Sequence, residues 1–265
     1  MTTTTVPRLT DLGQDLLVTT ARRRALALAL PYLGLAAFAA VAWLHWWSIT
    51  PVIVFFIFVA VVTVTHDVVH RSLGLGRRSS DWALFLLGLV LLESGHAYRT
   101  THLQHHRLFP SADDPEGHPA DLGLFGAIWY GPVFLPWLWW WAYRRNADVR
   151  GWLIAEATAP FAALTGGALL WPITPGLLVY AVMVIAGSWV YPLLTVYLPH
   201  RDYGDTPLTQ THTLRGRVIP AIFLELTYHL EHHLFPQVPS HQLPELARRL
   251  DPYLDSAGVR PRRVL

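Results

Sequence analysis

The sequence predicts an all-α membrane protein: four transmembrane helices in two hairpins, with interfacial helices and a cytosolic cap carrying a histidine-rich metal site. Three observations predict it. Of 265 residues, 52% are hydrophobic and only 14% charged, where an average soluble domain carries about 25% charged residues. The mean hydropathy is positive, at +0.32, and apolar stretches of span length recur along the chain. Three histidine clusters follow one another: His66 and His70; His102, His105 and His106; His229, His232 and His233.

Residues 1–24 form a polar, Thr-rich N-terminal segment ahead of a single membrane domain expected over 25–265. The Arg22-Arg23-Arg24 cluster precedes a hydrophobic stretch of full span length, which reads as a first membrane helix and not as a cleaved leader. A bilayer core takes about 20 apolar residues per helix. Residues 26–47 meet that requirement, and 51–65 supply a second span ending at the first histidine cluster. Residues 152–172 and 176–198 form the second hairpin, turned at Trp171–Gly176. Trp82–Leu92 is short for a crossing, and Leu124–Tyr143 is broken by Gly131, Pro132 and Pro136. Both read as interfacial or re-entrant. Tryptophans 43, 46 and 47, and again 137, 139, 140 and 141, resemble an interface belt, with His45 expected inside the first span among them. Ser111–Gly117 is a polar loop, and the less apolar chain beyond Pro199 reads as the cytosolic cap.

Charge fixes the expected sidedness. The triple arginine holds the N-terminus in the cytoplasm by the positive-inside rule. Two crossings return the chain to that side at His66, followed by Arg71, Arg77 and Arg78. If Trp82–Leu92 does not cross, the second cluster lies there too. Arg144, Arg145 and Arg150 precede the second hairpin, which returns at His200-Arg201. All three clusters then face the cytoplasm together.

One helical turn takes about 3.6 residues, so histidines at i, i+4 or at i, i+3, i+4 share a face. Eight imidazoles in three such sets gather only around metal, and His200, just past the fourth span, is a ninth candidate. Imidazole suits zinc, copper, iron and nickel alike. A tetrahedral zinc uses three or four ligands, so eight or nine nitrogens imply two metals. A site against apolar spans with no exposed nucleophile suits an apolar substrate activated by oxygen, which favours iron. The chain has no cysteine, which excludes disulfides, thiolate nucleophiles and Cys-held clusters. A net charge of +2 without a long basic run gives nucleic-acid binding no support. Asp67 and Glu231 are expected to accept the second ring N–H of liganding histidines. Arg71, Arg107 and Arg201 are expected to compensate such carboxylates or to bind headgroups. His96, His118, His212 and His241 lack partners at ligand spacing and are expected beside the ligands or on the surface.

His-x3-His, His-x2-His-His and His-x2-His-His, interleaved with two hydrophobic hairpins, resemble the membrane fatty acid desaturase/hydroxylase superfamily over residues 50–245. Thr101–His106 followed by Asp114-Pro-Glu116, Tyr197-Leu-Pro-His-Arg201, and Tyr228–Pro236 leading to Gln242-Leu-Pro244 look like the carotenoid ring hydroxylases and ketolases. The resemblance implies a non-haem di-iron site held by His66, His70, His102, His105, His106, His200, His229, His232 and His233. It implies two iron ions, dioxygen as co-substrate and a ferredoxin-like or cytochrome-type electron donor. A carotenoid ring would be hydroxylated or ketolated; a fatty acyl chain desaturated at the same site is the alternative. A third reading, a non-enzymatic metal transporter or sensor, needs ligands along a crossing path. Two features depart from the pattern. Val68 and Val69 are bulkier than the small residues expected in the first box, which would reshape the substrate channel. The third box begins with His229, unlike the Gln of the desaturases fused to a cytochrome.

Overall fold

The computed structural model describes residues 6–265, so the first five residues of the polar N-terminal segment lie outside it. Four helices are long and apolar enough to cross a bilayer: Ala21–Trp43, Trp47–Val69, Ala147–Leu170 and Gly176–His200. The first begins earlier than expected because the Thr20 side chain accepts a hydrogen bond from the Arg23 N–H and caps it. It also ends earlier, at Trp43. His45 therefore sits not inside a span but in the exposed turn beyond it, with a left-handed φ of 57°.

The first span packs along the second and the third along the fourth. The apolar stretch of the second is 72% buried, against 17%, 22% and 28% for the first, third and fourth. The second span is thus the central post, and the other three keep apolar faces outward as lipid contact requires. The Tyr180 hydroxyl donates to the Val90 carbonyl at 2.7 Å, fastening the fourth span to the Arg77–Leu91 helix.

Arg77–Leu91 and Gly131–Arg145 each have 15 residues, and Gly123–Trp129 has seven. None has span length. After Arg77–Leu91 the chain reverses at Leu92, which is left-handed (φ 56°), and the Gly95–Leu108 helix carries the second histidine cluster. A Cβ on Gly95 would meet the Leu84 carbonyl oxygen at 2.5 Å, so only glycine lets the two helices approach this closely. Ser94 caps the helix by accepting from the Ala97 N–H. The third span then pins its start: Glu156 accepts from the Ser94 hydroxyl at 2.5 Å and pairs with the His96 Nδ1 at 2.7 Å.

Beyond the fourth span lie a short parallel ladder of β1 (Leu214–Arg215) and β2 (Arg262–Arg263), the His229–Leu234 helix and the amphipathic Leu243–Ser256 helix. The last of these buries Leu243, Leu246, Leu250 and Leu254 in a second core shared with Leu12 and Leu16. Asp67, near the end of the second span, joins this core to the membrane helices. Its Oδ1 accepts from the Ser240 N–H at 3.0 Å and from the Ser240 hydroxyl at 2.8 Å. Asp67→Ala leaves both buried donors without a partner. It should cost about 1–3 kcal/mol, read as a lowered thermal midpoint of the detergent-solubilised protein, with Asp67→Asn milder.

Candidate metal centre

The nine histidines arrive from four places. His66 and His70 stand one turn apart at the end of the second span. His102, His105 and His106 share one face of Gly95–Leu108. His200 ends the fourth span, just after a π-helical stretch over Leu193–Tyr197. Such wide turns recur at functional sites. His229, His232 and His233 fill the short His229–Leu234 helix.

These rings meet as two sets. His66, His70, His102, His106 and His232 form one; His105, His200, His229 and His233 form the other; within each set the ligand atoms lie within 4.8 Å of one another. Neighbouring Nε2 atoms of the first set are 2.9 Å (His66 to His232), 2.8 Å (His232 to His106) and 3.2 Å (His106 to His102) apart. In the second set, His200 Nε2 is 3.1 Å from that of His105 and 3.0 Å from that of His229.

The outer nitrogens fix the tautomers. His105 Nδ1 faces Asp114 Oδ2 at 2.7 Å, His102 Nδ1 faces Glu116 Oε2 at 3.1 Å, and His200 Nδ1 faces the Gln210 carbonyl at 3.1 Å. A carbonyl only accepts, so His200 Nδ1 carries the proton and its Nε2 turns a lone pair inward, and the carboxylates of Asp114 and Glu116 favour the same tautomer in His105 and His102. The two carboxylates are themselves held. Asp114 accepts from the Glu116 N–H at 2.9 Å, and Glu116 accepts from the buried Thr101 hydroxyl at 2.7 Å.

Electrostatics favour the neutral form in six of these rings. Burial first, and neighbouring imidazoles second, hold His70, His102, His106, His229, His232 and His233 well below the ordinary imidazole range. His105 goes the other way: burial opposes its charge, but the hydrogen bond and charge of Asp114 outweigh it. Burial pushes Glu116 up to about 7.

The donor set fits metal. Ring nitrogens only 2.8–3.2 Å apart suit a shared cation, since a metal–imidazole bond of about 2.1 Å sets adjacent donors about 3 Å apart. The Nε2 atoms of His70 and His233 are buried and have no protein partner. Sets of five and four imidazoles could each hold a metal ion.

An apolar cleft closes on this centre. Phe58, Val59 and Val62 of the second span, Leu194 and Leu198 of the fourth, and Ile219, Phe223 and Leu226 beyond it form its walls, and His66, His102 and His229 its end. Tyr98 also lines it, stacked on His102 with centroids 4.7 Å apart. Val68 and Val69 are not on this wall. They are buried on another side of the helix, bordering Ser80 and Leu103, so their bulk does not shape the cleft.

Several expectations are corrected. Asp67 binds Ser240, and Glu231 is paired with Arg215 (Nη2 to Oε1 2.6 Å), so neither holds a histidine. Asp114 and Glu116 do that work. Their only sequence signal was an Asp-Pro-Glu loop soon after the second cluster. Among the described residues, Arg71, Arg107 and Arg201 form no ion pair with a carboxylate; Arg215, bound to Glu231 and Asp251, is the compensating cation. His96 lies neither beside the ligands nor on the surface: it is fully buried, stacked on Trp152 at 4.8 Å and bonded to Glu156. His118 is exposed, His212 bonds the Arg201 carbonyl at 2.6 Å, and His241 is half-buried; none joins a set.

Residues 41–264 match the fatty acid desaturase family. The chain belongs to that family. It is similar to a beta-carotene ketolase of Paracoccus sp. (strain N81106 / MBIC 01143), with 28% identity over 242 residues, 85% of this chain and 84% of the relative. A beta-carotene ketolase of Paracoccus sp. (strain PC1) is 27% identical over 232 residues, covering 82% and 81%. In this desaturase-family member the first histidine box and His200 lie at the ends of apolar helices of span length, while the second and third boxes sit on the shorter Gly95–Leu108 and His229–Leu234 helices.

Two measurements test the centre. Metal analysis of the purified protein should give two ions per chain, with His232→Ala and His105→Ala each losing about one, since they belong to different sets. Asp114→Asn and Glu116→Gln should weaken metal binding about 10–100-fold, seen in chelator competition. Asp67→Asn, whose carboxylate faces a serine, should not.

Proposed function

We propose that this protein is a membrane di-iron oxygenase that inserts oxygen into the terminal ring of a carotenoid. One observation carries the reading: an apolar cleft lined by the second and fourth spans reaches both histidine sets, through His66 and His102 of one and His229 of the other. A long hydrocarbon is what such a cleft admits, and the relatives that match most of the chain are named beta-carotene ketolases.

Bound iron supplies the activation of dioxygen and the oxidation of an unactivated C–H bond. The chain's own residues do the rest. His66, His70, His102, His106 and His232 would hold one ion, and His105, His200, His229 and His233 the other. Asp114, Glu116 and the Gln210 carbonyl keep Nε2 of three ligands aimed inward. Phe58, Val59, Val62, Leu194 and Leu198 exclude water and hold one carbon of the substrate close to the centre. The balance is C–H + O2 + 2 e− + 2 H+ → C–OH + H2O. A second round at the same carbon gives a gem-diol that loses water to the ketone.

The histidine sets gather at the end where the second and fourth spans finish, beside Arg71, Arg77, Arg78 and Arg201. By the positive-inside rule this end faces the cytoplasm. A metal transporter needs ligands along a crossing path, so clustering at one end favours the enzyme. The family's description favours a second reading, desaturation of a fatty acyl chain in the same cleft.

Membranes containing the protein, supplied with β-carotene and a reducing system, should give products heavier by one oxygen atom, or ring ketones. An acyl chain lighter by two hydrogens, with β-carotene untouched, would establish the desaturase instead.

A further inference from the structure

The oxygenase reading demands two electrons per turnover, and the chain holds nothing else to carry them. It has no cysteine. Among the described residues, the two histidine sets are the only groups of three or more candidate metal ligands. Electrons must come from another molecule, and electron transfer falls off steeply with distance, so that molecule must come close to one set. The apolar cleft, whose lining includes His66, His102 and His229, is where that reading puts the substrate.

A second approach exists, of opposite character. In the five-histidine set, His70 and His106 are the members that are not fully buried. A recess of mixed lining opens onto His70, with Arg24, Arg71, Thr19, Ser72 and Gln237 beside Leu17 and Leu73. Neither Arg24 nor Arg71 pairs with a carboxylate among the described residues, and Arg24 Nε is buried with no partner. Gly74, with φ +65°, leaves room for the Arg24 guanidinium; a Cβ there would come within 3.1 Å of its Nη2. Arg22, Arg23, Arg77, Arg78 and Arg107 are exposed and equally unpaired. By contrast, Arg144, Arg145 and Arg150 lie over the rings of Trp140, Trp141 and Tyr143. Arg24 begins the first span and Arg71 follows the second. Consecutive spans run in opposite directions, so both arginines lie at one water-facing end.

We propose that this arginine-lined recess beside His70 is the docking site of an acidic one-electron carrier protein, which delivers electrons to the five-histidine set from the side away from the substrate. The inference rests on the oxygenase reading for its need of electrons. Unpaired guanidinium groups around a recess complement a carboxylate-rich surface, and such charge pairing sets encounter rate and salt dependence. Anionic headgroups would meet Arg22 and Arg23 equally well, but they give no reason for a recess that reaches a histidine of the metal centre.

The test uses the iron-loaded full chain in nanodiscs of neutral lipid, with an acidic [2Fe–2S] ferredoxin as probe and its Kd read by thermophoresis over a salt series. Arg71→Glu should raise Kd about ten-fold and flatten the salt dependence, with Arg71→Gln in between. Arg145→Glu, on the Trp141 ring, should stay within about two-fold of the unaltered protein. An unchanged Kd in Arg71→Glu overturns the proposal, as does an equal loss in Arg145→Glu or no binding to the unaltered protein. Weakened binding of Arg71→Glu to anionic vesicles, with ferredoxin affinity intact, would make the recess a headgroup site. Product formation by the unaltered protein with a small chemical reductant tests the oxygenase reading separately.

Discussion

Nine imidazoles are drawn to one end of a helical bundle with their Nε2 lone pairs facing each other, and the surrounding structure answers to that constraint. Buried ring nitrogens 2.8–3.2 Å apart are costly to leave without partners, and a shared cation would satisfy several at once. The chain therefore spends other residues on preventing the rings from turning away. Asp114, Glu116 and the Gln210 carbonyl each accept a hydrogen bond from an Nδ1, and burial disfavours charge on most of the rings. Remove those acceptors and a ring can flip its donor inward, where it competes with metal.

The same constraint explains the helices around the site. His66 and His70 need a rigid platform, which the heavily enclosed second span provides. The second cluster must be brought back beside them, which the left-handed Leu92, the close approach at Gly95 and the Glu156 contacts to Ser94 and His96 accomplish. His200 reaches the centre at the end of a widened π-helical stretch whose Leu194 and Thr195 also face the cleft. The third cluster sits on only six residues of helix, too short to be stable alone. It is held through Ser240 on Asp67 and through Arg215 on Glu231.

The centre consequently has two unlike sides. Toward the spans, aliphatic and aromatic side chains suit a hydrocarbon and exclude water, which strengthens every electrostatic interaction within. Toward the first-span arginines the surface is polar and cationic, and His70 is only partly covered. On the proposed reading, an apolar substrate and a charged partner would approach the centre by separate routes.

Four spans and nine histidines were legible in the sequence because both rest on local rules: twenty apolar residues make a crossing, and i, i+3, i+4 spacing makes a shared face. Sequence also told that the site is nitrogen-rich and cysteine-free. Which histidine belongs to which set was not legible, since His105 and His106 are neighbours in the chain yet serve different sets. Nor were the partners. Asp67 and Glu231 stand inside the boxes but point to Ser240 and Arg215, while Asp114 and Glu116 come from a loop that folds back over the second box. His96 read as an unpartnered ring because its partner, Glu156, is sixty residues away on another span. Periodicity fixes the face from which a side chain leaves its helix; what it meets there is chosen by helices that sequence spacing does not relate, and only their packing decides it.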